Sequence, residues 1–282
     1  MAQVINTNMM SMNSQRQLNR SQMSMQTSLE RLSSGLRINR AKDDAAGLAI
    51  SERFTSQIRG LDQAVRNAND GISLVQTAEG ALSEIENSLQ RMRELAVQAA
   101  NGTYNASDRA SLNDEYLALA FEVIRTSEVT EFNNINLLGA AAPGAISLQV
   151  GWENGVDNVI TLNANTIFAG NTSNGSGLNS WLGNSVGNVA AATSAMLILS
   201  RSIDSISNIR ADFGAAQNRL ESSIRNMENV IENQNAARSR IQDADFAHET
   251  ANLTRTQILQ QAGTAMLAQA NQLPQNVLSL LR

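Results

Sequence analysis

Residues 54–99 constrain the chain most. Apolar side chains recur at Phe54, Ile58, Leu61, Val65, Ala68, Ile72, Val75, Ala78, Leu82, Ile85, Leu89, Met92, Ala96 and Ala99. The steps alternate between four and three with one slip, a period of about 3.5 that belongs to a helix and not a strand. No proline interrupts the run, and Gln, Asn, Glu, Arg and Ser fill most of the gaps. The pattern predicts one long amphipathic helix with a coiled-coil-like seam, about 70 Å long at roughly 1.5 Å per residue. Such a helix needs partners of similar length, so a rod is expected.

The natural partner lies far along the chain. Met196, Leu199, Ile203, Ile206, Ile209, Phe213, Ala216, Leu220, Ile224, Met227 and Ile231 repeat the same spacing over nearly the same length. An antiparallel pairing of the two runs follows. Aromatics are only 4% of residues, so the core has to be built from Ala, Leu, Ile, Val and Met, which suits thin helical seams. The two prolines, Pro143 and Pro274, leave everything before residue 143 free to be helical.

Composition also narrows the chemistry. With no cysteine, disulfides, thiolate metal sites and cysteine nucleophiles are excluded. A net charge of −5 argues against nucleic acid as the main ligand. His248, the one histidine, is followed by Glu249 but lacks the second histidine of a zinc-protease motif. No catalytic, metal or cofactor site is therefore expected. The start of the chain has no apolar core of a cleavable secretory signal, and no stretch reads as apolar enough to span a membrane.

The remaining segments are legible in outline. Residues 1–30 are rich in Asn, Gln, Ser and Met, yet Leu18, Met25, Leu29, Leu32 and Leu36 keep helical spacing with Gln22 in the seam. So little apolar area predicts a segment that folds only against a partner. Gly35 can end that helix, and Asp43 or Asp44 can cap the next. Asn101-Gly102 breaks the long helix, and a third helix is expected to start around Ser107-Asp108. Its Tyr116-Leu-Ala-Leu-Ala-Phe121 run is apolar on every side, as in a helix buried from several directions or met by a neighbouring subunit. Residues 130–138 read as a loop covering the bundle. Residues 146–162 alternate with period two around Asn154-Gly155, which predicts a small β-hairpin. An exposed loop should follow, with Phe168, Trp181 and Leu182 as anchors and weak glycosylation matches at Asn171 and Asn174.

The final segment is nearly free of charge. Leu259, Ala262, Met266, Ala270, Leu273, Val277 and Leu280 form a stripe, widened by Ile258, Ala265 and Leu281. Its polar face lacks the Lys and Arg of an interfacial membrane helix. Burial against other protein copies is the better reading, because so much apolar surface has to be covered.

Several motifs carry a family resemblance: RLSSGLRIN at 31–39, AKDDAAGLAIS at 41–51, QRMRELAVQ at 90–98, TEFNNINLL at 130–138, ARSRIQDADFA at 237–247 and QLPQNVLSLLR at 272–282. With these the chain closely resembles bacterial flagellin, the subunit of the flagellar filament, over roughly 1–140 and 190–282. Arg40 departs from the small residue usual in that family. The resemblance implies a mainly α chain: a long antiparallel coiled-coil-like bundle, terminal helices forming an inner domain, and a small β-hairpin and loop insertion. It divides the chain into an inner N-terminal helix with connector (1–40), outer bundle helices (41–140), hairpin and short variable loop (141–190), an outer C-terminal helix (191–236), and connector with inner C-terminal helix (237–282).

Function follows from the same resemblance. It implies a secreted, non-catalytic subunit that polymerises into the extracellular filament used for swimming. Export in unfolded form through the flagellar type III pathway goes with it. A flagellin-like hook–filament junction protein is the alternative, disfavoured by the nonamer and the LLR ending. Implied partners are further copies in a homopolymer, an export chaperone, and hook-associated junction and cap proteins, with neither nucleic acid nor membrane insertion. The flagellin-sensing Toll-like receptor of animals is expected to meet Gln90, Arg91, Glu94, Leu95 and Gln98, with Glu115 and Arg219 from neighbouring helices. Subunit packing is expected at Leu29, Leu32 and Leu36, and along the stripe from Leu259 to Leu280.

Overall fold

The computed structural model describes residues 7–139, 142–162 and 185–280, with side chains as far as Gln272 in the last helix. The expected anchors Phe168, Trp181 and Leu182 and the matches at Asn171 and Asn174 lie outside the described residues, as do the side chains of Leu273, Val277, Leu280 and Leu281. Five α-helices dominate: α1 (Met9–Ser34), α2 (Ala45–Ala100), α3 (Ala106–Val129), α4 (Val189–Gln242) and α5 (Phe246–Leu280). Two small antiparallel hairpins lie between α3 and α4, pairing β1 (Glu131–Phe132) with β2 (Ile135–Asn136) and β3 (Ile146–Gln149) with β4 (Val159–Leu162). The chain divides into two compact units, Met1–Ile58 with Glu232–Arg282, and Arg59–Ile231.

In the second unit the predicted seam is the observed core. Leu61, Ala68, Val75, Ala78, Leu82, Ile85, Leu89, Met92, Ala96 and Ala99 are all buried. Leu199, Ile206, Ile209, Phe213 and Ala216 of α4 belong to the same core cluster as Leu82–Ala99 region residues of α2, together with Tyr116, Ala120 and Val123 of α3. The α2–α4 pairing is antiparallel. Leu220 lies by Gly71, while the Arg210 guanidinium reaches Glu86 at 2.5 Å. Each fully buried Leu, Ile or Met contributes about 1.5–3 kcal/mol of transfer free energy, so this seam is the main stabilising element. The Tyr116 ring is fully buried, and burial pushes its hydroxyl pKa up to about 12.

Local signals set the ends. Asn105 caps α3, just ahead of the expected start: its side chain accepts from the Asp108 N–H, and the Asp108 carboxylate accepts from the Asn105 N–H. Asp108 thus sits three residues inside a capping box, where an acid also meets the positive end of the helix dipole. The 130–138 loop contains β1 and β2, closed by Asn133 and Asn134 at φ 51° and 62°. Asn tolerates this left-handed region because its short side chain bonds locally. Leu137 and Leu138 then enter the core.

The β3–β4 hairpin has the expected strands but a longer connection, residues 150–158, with a 3-10 turn at Val156–Asn158. Side-chain amides hold it open. Gln149 Nε2 donates to the Gly151 and Glu153 carbonyls, and Asn158 Nδ2 also donates to Glu153. The hairpin lies on α2, where Leu148 occupies the space a Cβ at position 71 would need, so glycine stands there.

One expectation is corrected here. α4 does contain a stretch long and apolar enough by composition to cross a membrane. Its Ala192, Ala195, Leu199, Ser202 and Ile206 are buried in the core of the second unit.

The first unit pairs α1 with α5. α1 begins at Asn8, whose side chain accepts from Ser11 N–H, and ends at Gly35, whose φ of 72° suits a residue without a Cβ. The two connectors lie side by side. Leu36 bridges Asp243, the Arg37 N–H donates to Gln242 O at 2.6 Å, and the Ala244 N–H donates to Gly35 O at 2.9 Å. Asp44 starts α2 by accepting from the Gly47 N–H at 2.9 Å, while Asp43 accepts from the N–H groups of Asn39 and Arg40. The Arg40 departure has a partner as well: its guanidinium pairs with Glu30.

Candidate functional site

Two surfaces carry the residues singled out from sequence, one in each unit. The first is the α1–α5 pair. Its internal seam is made of small and polar groups: Ser21 Oγ donates to Thr256 O at 3.1 Å, Leu18 covers Gly263, and Asn8 Nδ2 donates to Ala270 O at 2.7 Å. Glu249 is buried and accepts from both the Arg31 guanidinium and the Ser28 hydroxyl, each at 2.9 Å. The α5 positions used are thus 249, 256, 263 and 270, one every seven residues, the repeat of a coiled-coil seam. Thr256, Gly263 and Ala270 are small enough to let the two backbones approach.

Several large apolar groups are left facing outward. Leu259 is 53% exposed, Met266 64% and Leu29 48%, and Ile258, Met23, Met9 and Met10 are exposed too. Ala262 is exposed, while Leu32 and Leu36 are half-buried. Ala270 separates from this stripe and packs inside the pair. Leu259, Ala262 and Met266 line one wall of a groove of about 590 Å³, with Ser14, Gln17 and Leu18 of α1 opposite.

The buried carboxylate has a depressed pKa. Burial alone would raise it, but the Arg31 guanidinium, the Ser28 hydroxyl and the nearby His248 hold it below the ordinary 4.5. Spacing along the chain does not reveal this cluster, because Glu249 lies 221 residues from Ser28 and 218 from Arg31, and only the α1–α5 pairing brings them together. The seven-residue spacing of Thr256, Gly263 and Ala270 marks the seam in the sequence, though not the ion pair at its end.

The second surface is the nonamer on α2. Arg91 is exposed and donates to Glu94 at 3.0 Å and to Glu115 of α3 at 2.8 Å. Gln90 reaches Glu86, and Gln98 donates to the Tyr104 hydroxyl. Gln90, Arg93, Glu94, Val97, Gln98 and Ile203 line a groove of about 550 Å³. Two members of the expected patch are placed differently. Leu95 does not project: it is 1% exposed. Three helices share one core here, which widens the buried arc of α2 to include it. Arg219 is exposed but not joined to Arg91, since its neighbour Leu220 lies by Gly71. That level is about 30 Å away along α2 at roughly 1.5 Å per residue.

Among the described residues, no three His, Asp or Glu side chains gather as a metal site. The fold defines a long-helix protein with paired termini. Bacterial flagellin N-terminal helical region models match residues 5–142, and the C-terminal helical region matches 196–281. Flagellin of Halalkalibacterium halodurans is 48% identical over 279 residues, 99% of this chain and all of that protein. Flagellin FlaB2 of Treponema pallidum is 46% identical over 294 residues, again 99% of this chain and all of that protein. The crystal structure of Bacillus cereus flagellin aligns with 57% of this chain and 88% of its own, at 31% identity and a TM-score of 0.47. The chain belongs to the bacterial flagellin family, structural proteins whose members polymerise into the extracellular flagellar filament.

Proposed function

We propose that this chain joins its filament through the outward face of the α1–α5 pair, and that it performs no catalysis. One observation carries the reading: the pair spends its small residues on its own seam and leaves Leu29, Leu259 and Met266 exposed. A face of that composition is completed by burial against further copies, at about 1.5–3 kcal/mol for each large apolar side chain covered. Contacts that repeat without closing a ring produce a helical polymer. The inner domain then comprises the terminal helices, and the α2–α3–α4 bundle forms the outer layer.

The family resemblance extends the reading to partners. A cytoplasmic chaperone covers the α5 face before export, and junction and cap proteins meet the ends of the filament. The Arg91–Glu94–Glu115 cluster with Gln90 and Gln98 is the part of the nonamer surface that a flagellin-sensing Toll-like receptor reads. Leu95 supports that surface from beneath.

Amide hydrogen exchange tests the assembly reading. In the dilute monomer, α1 and α5 should exchange rapidly while residues 74–99 are protected, and polymerisation should protect both terminal helices. Terminal helices already protected like the bundle core in the monomer would contradict it.

A further inference from the structure

Two Asn-Gly dipeptides fall among the described residues, and their surroundings differ. In Asn-Gly, the glycine backbone nitrogen can attack the asparagine side-chain carbonyl carbon. The Cγ–N amide bond breaks, ammonia leaves, and a five-membered succinimide closes. Water then opens the ring at either carbonyl, leaving aspartate or its isomer with the main chain routed through the side chain. The reaction requires only water, but it needs a free side-chain amide, a free N–H on the next residue, and freedom of the backbone between them.

At Asn101-Gly102 these freedoms are restrained. The Asn101 side-chain oxygen accepts from the Thr103 N–H at 3.3 Å. The Asn101 backbone carbonyl accepts from Arg109 Nη2 at 3.1 Å, and the same guanidinium is anchored on Ala99 O at 3.0 Å. The Asn101 N–H donates to Gln98 O at 3.2 Å, extending the helix end.

At Asn154-Gly155 they are left open. Asn154 is exposed, and among the described residues its side chain makes no hydrogen bond. Neither does the Gly155 N–H. The bonds of this connection go to the carbonyls on either side: Glu153 O accepts from Gln149 and Asn158 side chains, and Gly155 O accepts from the Asn158 N–H at 3.0 Å. The bonds thus fall on either side of the Asn154–Gly155 peptide group, whose own N–H, like the Asn154 amide, stays unengaged.

We propose that Asn154-Gly155 is a self-modifying site that converts through a succinimide to aspartate and isoaspartate in the folded chain, ahead of Asn101-Gly102. Conversion sets a new carboxylate between Glu153 and Asp157. The isoaspartate product also lengthens the main chain beside the turn that Asn158 closes on Gly155.

The experiment ages the purified full-length chain at mildly alkaline pH and follows each peptide by mass spectrometry and ammonia release. The peptide with Asn154 should change from amide to acid several-fold faster than that with Asn101. In denaturant the two rates should converge, because the same dipeptide then lacks its different surroundings. Gly155→Ala supplies a second arm. Gly155 has an extended backbone, φ −175°, and an added Cβ would meet only Asn158 Nδ2 at 3.7 Å, so the variant should fold. A Cβ crowds the attacking nitrogen, and conversion at Asn154 should slow several-fold. Equal native rates at the two sites, a gap that persists in denaturant, or a Gly155→Ala chain that converts as fast as the parent would each overturn the proposal.

Discussion

At the scale of single residues, Glu249 is the clearest case of chemistry built into packing. Its carboxylate is buried between helices and held by Arg31 and Ser28. Since its folded pKa lies below its ordinary value of 4.5, the stability it adds is present above that value and is lost as pH falls through the folded one. Acid should therefore loosen the α1–α5 pair and, with it, the polymer. Glu249→Gln removes the charge, so filaments of the variant should dissociate more readily at neutral pH and show a shallower acid dependence. Sedimentation across a pH series reads both effects, and an acid limb as steep as the parent's would contradict them. Nothing in the sequence around Glu249 announced this role. An acid beside a lone histidine reads as solvated until the opposite helix brings Arg31 to it.

Elements were legible to the degree that their signals were local or periodic. The three-and-four spacing of 54–99 appears in the structure as the buried face of α2, and Gly35 ends α1 as its lack of a Cβ allows. Helical spacing alone does not separate an outward face from a close-packed seam: it groups Ala270 with Leu259 and Met266, yet Ala270 lies in the seam alongside Thr256 and Gly263. Leu95 went the same way in reverse, because a pattern on one helix does not reveal how many neighbours cover it. The proposed receptor surface depends on the packing of two helices, since α2 and α3 must sit together to join Arg91 to Glu115. Arg91→Ala breaks that link on an exposed face and should leave the melting temperature nearly unchanged. As a central arginine of a recognition patch, its loss should weaken signalling by soluble monomer by roughly tenfold or more. An unchanged dose response in receptor-expressing cells would rule against the patch.

For the molecule as a whole, the central claim is that the chain is completed by its copies at the terminal pair. Leu259 and Met266 lie seven residues apart, two turns along one outward face of α5, and both are more than half exposed. The bundle core from Leu74 to Ala216 includes neither. The most direct measurement is seeded elongation by the double variant Leu259→Glu with Met266→Glu, with helicity and melting recorded on the same preparation. The account predicts a folded, soluble chain with the parent's melting curve that fails to elongate seeds in electron micrographs. Normal filaments grown at the parent's rate would contradict it.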